Sequence, residues 1–262
     1  MEVGARREVI LSAGSIASPK LLMLSGVGPR YHLQHHQIPV VADLPGVGQN
    51  VHDHVEVLGL SWTTEESVSF TSLFDTFGPS SILQYKLSRK GPLGTAPLNF
   101  LNAWVKVMPE GDRMWPDIQV FFNSATFAYD KGTLNPALWG LDMRKFYEYA
   151  AEIYGREGFT IRPILLRPKS RGTITLRSRN PDDYPDIDPQ LLSDPGDVKT
   201  LVEGYKLRQA VFQKIIMQRQ NERGERRIYY NQCVVCWSAS FTASRIDGQR
   251  ESRDANILPP QS

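Results

Sequence analysis

Cysteine is almost absent from this chain. There are two, Cys233 and Cys236, in the stretch CVVC. A CxxC pair suits redox chemistry or half of a zinc site, but zinc takes four ligands. No second CxxC exists, and the five histidines all lie between residues 32 and 54. The pair therefore reads as ordinary apolar sequence and says nothing about compartment. An excess of one charge is lacking too, with 30 Lys and Arg against 28 Asp and Glu, for a net +2. A balance that even argues against a nucleic-acid partner, which needs concentrated positive charge. No stretch approaches the roughly 20 successive apolar residues of a membrane span. The opening MEVGARREVILSAG has no apolar signal-peptide core.

Two further absences bear on chemistry. The dinucleotide fingerprint G-x-G-x-x-G does not occur. GVGQNV comes near it, but lacks the third glycine and precedes a polar cluster rather than a helix. No histidine follows His54, so nearly 80% of the chain has no imidazole base to offer.

What is present fits a globular protein of one or two cores, with 262 residues and 41% hydrophobic content. EVILSAG, residues 8 to 14, reads as a short buried strand running into a glycine turn. Ser18 and Pro19 have the order of an N-cap followed by proline at the first helical position. The helix PKLLMLSG would stop at Gly26. A second helix, PRYHLQHH, leads into the strand-like IPVV. Strand, helix, helix, strand in this order predicts an α/β unit with a covered sheet.

LPGVGQNVHDH, residues 44 to 54, is different in kind. Gly46 and Gly48 permit a tight backbone or the close approach of a ligand. Asn50, His52, Asp53 and His54 then crowd polar groups that must find partners wherever they are buried. Beyond residue 56, NFLNAWVKV, DIQVFF, FTIRPILL and GTITLRS read as strands between Pro- and Gly-containing connections. Helices are predicted at 79 to 89, 139 to 152 and 194 to 213, the last with Leu201, Tyr205, Leu207, Val211 and Phe212 broadly on one side. This is an α+β region on a mainly antiparallel sheet. After residue 213 periodicity fades, and a loosely ordered tail is expected over 214 to 262.

The stretch GSIASPKLLMLSGVG, residues 14 to 28, resembles the second signature of the glucose-methanol-choline (GMC) oxidoreductase family. DLPGVGQNVHDH, residues 43 to 54, is similar to its continuation, and residues 167 to 207 to its substrate-domain segment. The resemblance covers roughly residues 6 to 213. The wording SAGSIASPKLLMLSGVGP and LRPKSRG resembles most the insect glucose-dehydrogenase-like branch.

The resemblance implies a partial Rossmann-like FAD-binding domain at 1 to 55 and a substrate-binding domain at 56 to 213. It implies an FAD-dependent oxidation of CH–OH groups in a sugar or alcohol, with quinone or oxygen receiving the electrons. Gly14, Ser18, Pro19, Gly48, Asn50, Asp53 and His54 match positions on the cofactor side. The family's base is a histidine near its C-terminal end, so no catalytic residue is assigned here. The expectation is a C-terminal part, incomplete at both ends and inactive alone. The alternative is an inactive remnant serving as a binding module.

Several residues keep more than one reading. His52 and His54 are base, flavin neighbour or surface groups. Asn50 and Asp53 either brace the loop or approach the cofactor. Ser18 is first a helix cap and second a cofactor neighbour. His32, His35 and His36 read as helix-surface residues, with metal binding through His32 and His36 the alternative. Arg167, Lys169 and Arg171 form a charged edge before a strand, or an anion site.

Overall fold

The computed structural model describes residues 4–58, 60–64, 77–94, 101–132, 140–207 and 210, with the backbone of 229–230 and 236–239. The expected tail lies almost wholly outside them, as do Val211, Phe212 and Cys233.

The N-terminal unit is built on helices. α1 spans Gly14–Leu24 and α2 spans Arg30–His35. Gly26 ends α1 with φ +82, and a Cβ there would lie 2.3 Å from the Pro39 carbonyl oxygen, so glycine is required on both counts. Between and after the helices run β1, Val27–Gly28, and β2, Ala42–Asp43. These two pair in parallel across α2, a minimal β-α-β crossover of the kind expected for an α/β unit.

Three local expectations are corrected here. Residues 8 to 12 form no strand, and Val9 and Ile10 are 78% and 77% exposed. An apolar run becomes a strand only where another strand pairs with its N–H and C=O groups, and none does so among the described residues. Ser18 is not an N-cap: α1 begins four residues earlier, and the Ser18 hydroxyl instead reaches back to accept the Ala13 N–H at 3.1 Å. Pro19 accordingly lies inside the helix. The strand read at IPVV begins later, at Ala42.

The second region is a seven-stranded, wholly antiparallel assembly. Its members are β3 (Val55–Leu58), β4 (Ser61–Thr63), β5 (Leu101–Val105), β6 (Ile118–Asn123) and β7 (Gly158–Leu165). β10 (Tyr229–Tyr230) joins β4, and β11 (Cys236–Ala239) joins β3. A small hairpin of β8 (Thr173–Thr175) and β9 (Asp186–Asp188) lies apart. β7 is central: β6 runs along one edge, while β4 and then β3 share the other. Pro163 falls where β7 changes neighbours from β4 to β3, the place in an inner strand that best tolerates a missing N–H.

Cross-strand register gives the sheet two unlike faces, because side chains alternate along each strand. On one face Val55, Val57, Ile118 and Leu165 form the core, closed by Leu201 from the helix α5 at residues 195–207. Trp62 and Ile161 continue that apolar layer with Phe122 and Phe159. Helices α3 (Pro79–Ser88) and α4 (Met143–Ala150) match the two predicted near 79 and 139. α4 packs Phe146 and Ala150 on Leu58, Phe127 and Ile153.

Candidate functional site

The loop at 44 to 54 joins the two regions, and glycine explains why it can. Gly48 is buried with φ +78, and a Cβ on it would lie 2.2 Å from the Ile174 carbonyl oxygen and 3.5 Å from Met23 Cε. Its own carbonyl accepts the Ile174 N–H at 2.7 Å. Val51 and Gly172 exchange both backbone hydrogen bonds, at 2.7 and 3.0 Å. The Gly48 requirement is thus met by packing against β8. At Gly14, with φ +87, and at Gly46, an added Cβ would meet nothing within 4 Å. These two present bare backbone to solvent.

Met23 ties the unit together. It is 1% exposed and clusters with Leu33, Ile38 and Leu176. It also fills the space that a side chain at Gly28 would need. His32 adds a polar link across the same boundary, its Nε2 accepting the Leu176 N–H at 2.9 Å. That bond requires Nε2 to be unprotonated, so the ring is neutral with its proton on Nδ1. Burial lowers the His32 pKa, and the adjacent His36 and His35 lower it further. The expectation of a plain surface histidine is corrected. Among the described residues no group of His, Cys, Asp and Glu has metal-binding geometry.

The polar cluster after Gly48 stays accessible. Asn50 is exposed and left-handed, with φ 62. His52 Nδ1 lies 3.0 Å from the Asn50 carbonyl oxygen, the geometry of a donated hydrogen bond. The Asp53 carboxylate accepts the His54 N–H at 2.8 Å. His52 and His54 are exposed and Asp53 is half-buried. The loop thus folds on its own backbone and leaves both imidazoles outward. At the other predicted position, α1 opens with no acidic residue in its first turn and no side-chain cap. An uncapped helix start has unmet N–H donors and a positive end that favours an anion. Val9, Ile10, Leu11, Val41 and Leu44 add exposed apolar surface to this unit.

The second face of the sheet carries groups that sequence reading passed over. Glu56 accepts from Arg162 Nη1 at 3.0 Å, and their side chains are only 13% and 12% exposed. Burial raises the Glu56 pKa, opposed by the charge and hydrogen bond of Arg162. The guanidinium also lies over the Phe121 ring, 4.5 Å from its centroid. Further along, Gln119 Nε2 donates to Asn102 Oδ1 at 2.7 Å. By register Asn102 faces Phe121, which faces Arg162, so these groups share one face. The signal was an arginine in the middle of the apolar strand FTIRPILL, which burial makes costly unless paired.

Sequence comparison places these features in a family. A GMC oxidoreductase N-terminal model matches residues 1–56, and the corresponding C-terminal model matches residues 168–242. The two matched segments are those held together by Gly48–Ile174 and His32–Leu176. The second match runs past residue 213, where the sequence resemblance was expected to end. An alcohol dehydrogenase [acceptor] of Pseudomonas putida is 38% identical over 206 residues, 78% of this chain and 33% of that protein. An oxygen-dependent choline dehydrogenase of Brucella ovis is 37% identical over 186 residues, 71% of this chain and 30% of that protein. Among solved structures, formate oxidase superposes with a TM-score of 0.57 at 25% identity, covering 78% of this chain and 36% of that one. The chain spans about a third of the length of these relatives.

Proposed function

Because this chain belongs to the GMC oxidoreductase family, we propose that it forms the flavin-side loop and substrate sheet of an FAD-dependent oxidoreductase acting on CH–OH groups. The observation that carries this reading is the family match to two separate segments which the fold packs against each other. When bound, FAD would supply the hydride acceptor. The residues fit such a group: Gly14 and Gly46 offer backbone without a side chain in the way, and the acid-free start of α1 suits a phosphate. Ser18 and Pro19 set the first turns of that helix. Asn50, Asp53 and His54 would line the ring end, with Gly48 fixing the loop that carries them.

The substrate side of this reading is the polar face of the sheet. Glu56, Arg162, Gln119 and Asn102 give hydroxyl groups both donors and acceptors, and Phe121 gives a sugar ring an apolar surface. An alcohol or sugar is the substrate class, and quinone or oxygen the acceptor. The glucose-dehydrogenase-like branch rests on the wording LRPKSRG and SAGSIASPKLLMLSGVGP. The role of this chain is binding and orientation, and hydroxyl deprotonation is assigned to none of its residues.

The test is the absorbance spectrum of the purified chain after incubation with FAD and desalting. Retained stoichiometric flavin, lost on Gly46→Val, supports the cofactor assignment. A flavin-free spectrum from a cooperatively folded chain overturns it. Retained flavin that neither glucose nor simple alcohols bleach favours the binding-module reading.

A further inference from the structure

At the end of the sheet where β7 exits, three short stretches enclose a cleft of about 440 Å³. They are the β5–β6 connection, the exit from β7, and the first turns of α5. The cleft is lined by Lys106, Arg167, Lys169 and Lys199, with Asp117, Asp197 and Glu110 the carboxylates. Nothing in the proposed oxidoreductase reading uses it.

Both buried acids are already committed. Asp117 accepts the N–H groups of Val107 and Met108 at 2.8 and 3.1 Å, and pairs with Lys106 at 3.1 Å. Burial alone would raise its pKa, but the Val107 N–H, Lys106 and Met108 N–H together hold it below the usual value. Asp197 accepts the N–H groups of Lys169 and Ser170 at 2.7 and 2.8 Å, and the Ser170 hydroxyl at 2.6 Å. The start of α5 is closed as well, because Asp194 Oδ1 takes the Gly196 N–H at 2.7 Å. Neither of the buried carboxylates, nor the helix end, is left to answer the remaining cations.

Those cations are Arg167, Lys169 and Lys199. Among the described residues, none of the three makes an ion pair within 4.0 Å. Arg167 is positioned in advance, its guanidinium stacked 4.0 Å above the Trp115 ring. Lys169 Nζ stands over Gly196, 3.5 Å from where a Cβ would be. Arg171 is turned away, its Nη1 donating to the Pro168 and Ser170 carbonyls at 2.5 and 2.9 Å, and so braces the loop rather than the cleft. Glu110 is exposed at the rim and is the only lining carboxylate without a backbone commitment.

We infer that this cleft is an oxyanion site, in which Arg167, Lys169 and Lys199 bind a phosphate group. A planar guanidinium held over an indole suits two phosphate oxygens, and the two ammonium groups supply point charges for the others. The volume exceeds what a bare phosphate fills, so the phosphate is either free or borne by a small organic molecule.

Calorimetric titration of the full chain at constant ionic strength distinguishes these. Inorganic phosphate is expected to bind saturably at one site. Arg167→Ala and Lys199→Ala should each weaken it about tenfold, as loss of one charge-assisted contact does. Arg144→Ala, at an exposed position of α4 outside the cleft, should leave it unchanged. Lys199→Ala replaces an exposed residue within a helix by a better helix former, so its fold is safe even if Arg167→Ala disturbs Trp115. Glycerol 3-phosphate binding more tightly than phosphate assigns an organic phosphomonoester, and equal or weaker binding assigns free phosphate. No saturable binding, or an equal loss in Arg144→Ala, overturns the site.

Discussion

Two stretches with the same strand-like composition meet opposite ends in this molecule. GFTIRPIL becomes the central strand of a seven-stranded sheet, with neighbours on both edges. EVIL, near the N-terminus, joins no strand and is solvent-exposed, with Val9 78% and Ile10 77% accessible. Apolar content is shared; partners are not. A strand's free energy comes from cross-strand pairs and burial, both non-local, whereas local propensity adds little. The helical unit has solved the same problem differently. Its core is one small cluster around Met23, and it gains the rest of its order by docking loop 44 to 54 on β8. The sheet region holds core clusters of its own, while the cluster of the helical unit is completed by Leu176 across the junction.

The largest expected effect tests the sheet alone. Arg162→Met leaves Glu56 buried without its guanidinium, which should destabilise by about 3 kcal/mol or more. Adding Glu56→Leu should recover most of that loss, since an apolar pair of similar volume needs no charge balance. Urea denaturation at neutral pH checks both. A double variant no more stable than the single one would mean that the pair organises the face rather than merely balancing it.

Next comes the junction. Gly48→Ala places a Cβ 2.2 Å from the Ile174 oxygen at a left-handed φ of +78, and should be destabilising by about 3 kcal/mol. Gly46→Ala, with nothing within 4 Å, should stay within about 0.5 kcal/mol. The contrast is measurable by thermal melts of the two variants side by side. Equal melting temperatures would show that loop and hairpin are not docked as described.

A third pair addresses the comparison directly. Ile161→Thr puts a hydroxyl into the layer with Trp62 and is expected to be destabilising by about 2 kcal/mol. Val9→Thr should change stability by less than about 0.5 kcal/mol, because that residue is already in water. A large loss from Val9→Thr would reveal that residues 8 to 12 are buried in solution.

Legibility followed the same division. The sheet strands are readable because apolar runs, turn residues and chain direction agree, and every predicted strand from 99 to 178 overlaps an observed one. EVIL has the composition of a strand but no partner, and no single-sequence pattern reports whether a partner exists. Ser18–Pro19 looked like a cap by residue order, yet α1 started at Gly14, whose left-handed φ allowed an earlier entry. The glycines of LPGVGQN were identified as special, but only packing separated Gly48, closed by Ile174, from Gly46, open to solvent. The Glu56–Arg162 pair is invisible in the sequence because the two lie 106 residues apart and only register makes them neighbours.

The smallest effect concerns His32, and its sign follows from its hydrogen bond. Nε2 accepts the Leu176 N–H, so protonation would replace an acceptor by a donor facing a donor. Burial is the larger cause opposing its protonation, and His36 and His35 on the same helix add to it. The folded-state pKa lies below the ordinary 6.5, and the unfolded chain therefore takes up the proton first. The contribution of His32 is fully present above pH 6.5 and declines as pH falls from there through its lowered folded value. His32→Gln keeps an acceptor for Leu176 and should remove the decline at little loss of neutral-pH stability. His32→Phe removes the acceptor as well and should be destabilising by about 1 kcal/mol at neutral pH, with the difference from wild type shrinking as pH falls. Melting temperatures measured from pH 7.5 to 5 decide it: a wild-type slope that persists in His32→Gln would assign the pH dependence to some other group.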